Sequence, residues 1–145
     1  HVIVKSDRFK AAMAGASAAL YTSNYGTDQY QQWWERELDF PWKNRALWDE
    51  LSPFFSAEKV TTPTLFVGGE KDWNVPTLNS EQFYQALRRL GKPTELVVYP
   101  DENHSIDRPS FVRDRLERYL AWFDKWVLGE GEAAAGGAGL TTSGN

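Results

Sequence analysis

Pro63-Thr64-Leu65-Phe66-Val67-Gly68-Gly69-Glu70-Lys71-Asp72-Trp73-Asn74-Val75-Pro76 decides how the chain is read. Proline opens an apolar run and two glycines close it, the marks of a short buried strand ending in a turn. A polar loop with Asp72 follows. Downstream, Glu95 to Tyr99 forms another apolar run closed by Pro100, and the next loop, Asp101-Glu102-Asn103-His104-Ser105, holds His104. Upstream, Phe9 to Gly15 is a short small-residue run that also ends in glycine. None of the three runs alternates cleanly, which suits parallel strands covered on both faces.

Helical periodicity separates the runs. Thr77 to Leu90 places Leu78, Phe83, Ala86, Leu87 and Leu90 largely on one face, and Gly91 stops it. From Phe111 to Leu128 the spacing predicts a longer helix with a buried stripe of Phe111, Leu116, Tyr119, Leu120, Phe123, Trp126 and Val127. Arg113, Asp114, Arg115, Glu117 and Arg118 fall mostly outside that stripe, and Pro109 sits near the helix start, where proline is tolerated. Tyr21 to Lys59 is dense in aromatics and proline and reads as short helices and loops, with Trp33, Trp34, Trp42 and Trp48 packing it. The order strand, helix, strand, helix implies an α/β fold, a mostly parallel sheet flanked by helices. In such sheets ligands sit beyond the carboxyl ends of the strands, which is where Asp72 and His104 fall.

Composition excludes several classes of function. The formal net charge of −4 gives no basis for nucleic acid or an anionic membrane as partner. The chain has no Cys, so disulfides, thiolate metal sites and a cysteine nucleophile are excluded, while the compartment stays open between cytoplasm and periplasm. Of its two His one is the first residue, so no closed zinc site is expected and no metal or other cofactor is implied. Gly68-Gly69 lacks the spacing of a phosphate-binding loop. No apolar run is long enough to span a bilayer.

Asp72 and His104, at neighbouring strand tips, form a pair in which the carboxylate can fix the imidazole's tautomer and steady its charged form during proton transfer. Ordinary readings compete: Asp after Gly-Gly is common turn chemistry, and a lone loop His is commonly solvated. Asp before His in the last two strand-end loops is nevertheless the α/β-hydrolase order. Asp101, Glu102 and Glu70 read as solvated loop charges.

Several motifs carry a resemblance. Residues 63–76 resemble the prolyl oligopeptidase (S9) pattern of apolar strand, glycine turn and Asp-x-x-Val-Pro, and Tyr99-Pro100-Asp101-Glu102-Asn103-His104 resembles that family's Tyr-Pro-x-Glu-x-His. Asp7-Arg8-Phe9-Lys10-Ala11-Ala12 looks like the strand after the nucleophile helix, and Leu51-Ser52-Pro53 like the turn before the Asp strand. The similarity covers about residues 2–128. Asn103 and Ser105 stand where many relatives have Gly, and Gly68-Gly69 stands for His-Gly.

The resemblance implies the C-terminal part of an α/β-hydrolase catalytic domain over residues 1–128, followed by a flexible Gly/Ala-rich tail over 129–145. It implies Asp72 and His104 as two members of a Ser-Asp-His triad cleaving a peptide substrate by acyl transfer. By position it also implies a substrate pocket of Tyr21, Tyr25, Asn74 and Val75, although Tyr21 and Val75 fit an ordinary core role equally well. No Gly-x-Ser-x-Gly elbow occurs; Gly15-Ala16-Ser17-Ala18-Ala19 is the nearest approach, making Ser17 a rival nucleophile. Because Val2 to Asp7 reads as the end of an element already under way, the elbow is expected upstream of His1. The missing N-terminal part of the same protein is then a partner, and the isolated chain is expected to be inactive. An esterase-like hydrolase and a non-catalytic interaction domain on the same fold are the alternatives.

Overall fold

A computed structural model describes residues 1–129. Residues 130–145 of the expected tail lie outside the described part. In chain order the elements are α1 (Val2–Lys5), β1 (Ala12–Gly15), α2 (Tyr21–Thr27), α3 (Gln31–Leu38), α4 (Arg45–Leu51), a 3-10 segment (Pro53–Lys59), β2 (Thr64–Gly69), α5 (Leu78–Arg89), β3 (Thr94–Tyr99), α6 (Pro109–Phe123) and a closing π turn (Asp124–Leu128). The three expected strands are present; β1 and β2 are shorter than their apolar runs, and β3 begins one residue earlier, at Thr94. The aromatic segment forms the expected short helices.

The strands make one parallel sheet in the order β1-β2-β3. Thr64 of β2 lies opposite Ala12 of β1 and Thr94 of β3, so all three strands run in step to the same edge. Every residue of β2 is buried, as the continuous apolar run requires of a central strand. Side chains alternate between two cores. Phe66 points to a cluster with Val4, Ala19, Ala57, Val60, Phe83 and Leu87, so α1 and α5 cover that face. Leu65 and Val67 point to the other face, against Tyr99, Ile106 and Trp122.

Helix faces depart from the periodic reading. On α5, Phe83 and Leu87 are buried, while Leu78 and Leu90, at the helix ends, are exposed. On α6 the inward residues are Trp122, with Phe111, Tyr119 and Trp126 packed beside it. Leu116, Leu120, Phe123 and Val127 of the expected stripe are exposed instead. This helix carries apolar residues on two faces, and periodicity cannot tell which one meets the sheet. The aromatic face wins because its wide rings span the gap to Leu65 and Val67 and cover more area per residue. The four tryptophans of the irregular segment also divide: Trp34 and Trp48 are buried, but Trp33 and Trp42 are exposed.

This assignment of faces predicts opposite effects for near neighbours on α6. Trp122→Ala should destabilise by about 3–5 kcal/mol, and Leu120→Ala by no more than about 0.5 kcal/mol. Urea unfolding midpoints measure both; equal losses would reverse the orientation given to α6.

Candidate active site

The carboxyl ends of β2 and β3 are joined by their loops. The Glu70 N–H donates to the Tyr99 carbonyl at 3.0 Å, and the Lys71 N–H to the Glu102 carbonyl at 2.8 Å. Glu70 Oε2 in turn accepts from the Asp101 N–H at 2.9 Å. Outside these, Lys71 pairs with Asp101; the hydrogen bond raises the lysine's pKa and lowers the aspartate's.

Gly69 makes the close approach of the loops feasible. A Cβ there would lie 2.2 Å from the Asn103 carbonyl oxygen and 2.5 Å from that of Glu102, so no larger residue fits without moving the second loop. Farther along, the Tyr99 phenol donates to Asp114 of α6 at 2.8 Å. Burial, reinforced by that bond, pushes the phenol's pKa far above its usual range.

The two loops bring Asp72 and His104 together. Asp72 turns back on its own loop: Oδ1 accepts from the backbone N–H of Asn74 at 2.8 Å and of Val75 at 2.9 Å. Its other oxygen, Oδ2, lies 2.8 Å from His104 Nδ1. A carboxylate can only accept, so Nδ1 carries the proton, and in the neutral ring Nε2 is the nitrogen with the lone pair. The Asp72 side chain is 1% exposed and that of His104 45%, so the acid is sealed beneath the ring while the ring reaches solvent. A cavity of about 220 Å³ adjoins the pair, bounded by Gly15, Ala16, Gly69, Ile106, Arg115 and Tyr119. Such a pair can accept a proton from a neighbouring hydroxyl at Nε2 and hand it on.

The other candidates divide between the Asp72 loop and the aromatic segment. Asn74 and Val75 adjoin the pair through the backbone bonds to Asp72, and Asn74 Oδ1 accepts from Gln29 Nε2 and the Tyr30 hydroxyl. Tyr21 packs on Trp34 and His1, and burial raises its pKa. Tyr25 donates to Glu35 and packs edge-on to Trp48. Neither tyrosine lines the cavity beside His104. Ser17 lies in the coil after β1, facing the groove that Phe9, Phe66 and Phe123 line. No helix begins there until Tyr21, so it does not sit on a strand-to-helix elbow.

Glu102 overturns its reading as a solvated charge: it is buried, and its carboxylate accepts backbone N–H groups of the same loop. Its match to the Glu of the Tyr-Pro-x-Glu-x-His pattern was the available signal. Among the described residues no group of three or more His, Cys, Asp or Glu could hold a metal ion, and no helix is long and apolar enough to cross a membrane.

Comparison with known proteins agrees with this architecture. The model of the prolyl oligopeptidase family matches residues 2–130. An uncharacterized peptidase, YuxL, of Bacillus subtilis is 34% identical over 130 residues, covering 86% of this chain and 20% of its own length. Among solved structures, a puromycin-hydrolyzing peptidase of Mycobacterium tuberculosis superposes with a TM-score of 0.79 at 26% identity, over 86% of this chain and 19% of that one. An acylaminoacyl peptidase of Pyrococcus horikoshii gives 0.77 at 24% identity, over 87% and 21%, and so shares the α/β-hydrolase fold. The chain thus spans about a fifth of the length of these relatives.

The crowding at Gly69 is directly testable. Gly69→Ala should destabilise by about 1–3 kcal/mol, whereas Gly26→Ala, in α2 with open space around it, should be neutral or stabilise by up to about 1 kcal/mol. Chemical denaturation reads both, and a silent Gly69→Ala would contradict the tight apposition of the loops. With its matched family model spanning nearly every described residue and its sheet overlaying solved peptidases, the chain belongs to the prolyl oligopeptidase family.

Proposed function

We propose that this chain forms the C-terminal part of a peptidase S9 catalytic domain and contributes the Asp and His of a Ser-Asp-His triad. The whole protein would be a serine peptidase that hydrolyses peptide bonds by acyl transfer. The observation that carries the proposal is the 2.8 Å bond between Asp72 Oδ2 and His104 Nδ1 at the tips of adjacent parallel strands, with the ring half exposed above a buried acid. The names of the relatives, peptidases throughout those reported above, favour a peptide substrate over a simple ester.

In this reading the nucleophilic serine comes from sequence that precedes His1. The fold leaves room for it. Among the described residues β1 pairs only with β2. Beside β1 runs an apolar groove of about 500 Å³ lined by Val2, Phe9, Met13, Phe66, Phe83 and Phe123. A further parallel strand on that edge would deliver its carboxyl end next to Gly15 and Ala16, which already border the His104 cavity.

The chemistry then follows. His104 Nε2 takes the proton of the serine hydroxyl as its oxygen bonds to the substrate carbonyl carbon. The imidazolium, steadied by Asp72, returns that proton to the departing amine as the C–N bond breaks. Water repeats the sequence on the acyl-enzyme. Backbone N–H donors from the preceding sequence would hold the oxyanion, each worth about 3–4 kcal/mol. Asn74 and Val75 anchor Asp72 through their N–H groups, and we assign their loop to the pocket wall. Tyr21 and Tyr25 support that wall as part of the aromatic cluster with Trp34 and Trp48.

The test is fluorophosphonate labelling of the full-length protein, together with turnover of peptide anilides against short acyl esters. Full-length protein should be labelled and should cleave the anilides. His104→Ala should abolish labelling, and Asp72→Asn should lower kcat about 10⁴-fold. The 145-residue chain alone should take up no label. Labelling that survives His104→Ala would overturn the proposal, and a preference for acyl esters would redirect it to an esterase.

A further inference from the structure

Residues 103–105, which include His104, are exposed and lie between two buried anchors, Glu102 and Ile106. Left to itself such a segment would sample many conformations. Two of its neighbours are also held in an unfavourable backbone region: Asp101 has φ 60° and Ile106 has φ 53°. Non-glycine residues occupy that region only where surrounding structure enforces it.

Glu70 and Lys71 hold Asp101, and the group that spans Ile106 is the Glu102 side chain. Its Oε2 accepts from the Asp107 N–H at 2.6 Å and from the Arg108 N–H at 3.3 Å, and Oε1 lies 3.5 Å from Arg108 Nε. The same residue's carbonyl accepts from Lys71, next to Asp72. One residue therefore ties the start of the His104 loop to its end through the side chain, and to the Asp72 loop through the backbone. Carboxylate-to-backbone bonds of this kind are stronger than neutral ones.

The geometry points to Glu102 as a positioning residue that sets His104 over Asp72 by closing the 103–106 loop. It touches neither substrate nor imidazole and acts through the loop. The inference rests on the Asp72–His104 reading proposed above.

Imidazole tautomer separates positioning from plain stability. His104 shares the chain with one other histidine, His1, so a long-range ¹H–¹⁵N spectrum of the full 145-residue chain, recorded in a His1→Ala background, reports His104 alone. Wild type should show the Nδ1–H tautomer that the Asp72 bond selects. Glu102→Ala and Glu102→Asp, the latter too short to reach both N–H groups, should move it to the Nε2–H tautomer usual for an unrestrained imidazole. Amide signals outside 99–108 should stay in place. Glu102→Gln should keep Nδ1–H, because its carbonyl oxygen can still accept from residues 107 and 108.

If Glu102→Ala fails to fold, the Asp and Gln variants carry the comparison. In the full-length enzyme Glu102→Asp should lower kcat about 100-fold, with KM within about twofold of wild type. Persistence of Nδ1–H in folded Glu102→Ala or Glu102→Asp, or unchanged kcat, would overturn the clamp while leaving the Asp72–His104 pair standing. Wild type that shows Nε2–H would overturn the pair, and the clamp with it.

Discussion

Backbone hydrogen bonds lace the loop after β2 to the loop after β3, from Glu70 to Tyr99 and from Lys71 to Glu102. Adjacent parallel strands bring two loops to one sheet edge, but about 4.8 Å of strand spacing does not by itself aim an imidazole at a carboxylate. The lacing does, and it depends on Gly69 having no Cβ. Asp72 then completes its own turn through Asn74 and Val75, leaving one oxygen for His104. Each acceptor of the buried acid has a donor, as burial of a charged group demands.

The rest of the fold keeps that edge still. Phe66 with α5 and Leu65 with α6 grip β2 from opposite faces. The Tyr99 phenol bolts the end of β3 to Asp114, whose carboxylate also pairs with Arg118 at 2.7 Å. Trp34 donates its indole N–H to buried Asp28 at 2.7 Å, and Gln29 and Tyr30 reach across to Asn74. The aromatic segment is thereby attached to the Asp72 loop, far along the chain though it is.

Much of this was legible in the sequence because the deciding signals are local. Proline before and glycines after an apolar run delimit β2, and the parallel order follows from alternation with helices. Once the order is known, Asp72 and His104 must share an edge. The orientation of α6 was not legible: Leu116, Leu120, Phe123 and Val127 repeat at a helical period as well as the aromatic face does, and only the shape of the gap over Leu65 and Val67 chooses. Glu102 was missed for a related reason. An acidic residue in a loop reads as solvated unless its backbone partners are known, and those partners, the N–H groups of 107 and 108, become available only through the turn at Ile106. Composition places all four tryptophans in the packing of the irregular segment but cannot rank them, and its interior takes Trp34 and Trp48 while Trp33 and Trp42 stay exposed.

The most direct test of the proposed triad is a crystal structure of the full-length protein. The triad reading predicts Asp72 Oδ2 within about 3.2 Å of His104 Nδ1 and a serine hydroxyl from outside the present chain in hydrogen-bond reach of His104 Nε2. A structure in which the Asp72 and His104 side chains do not meet, or in which no serine hydroxyl approaches the ring, would contradict it.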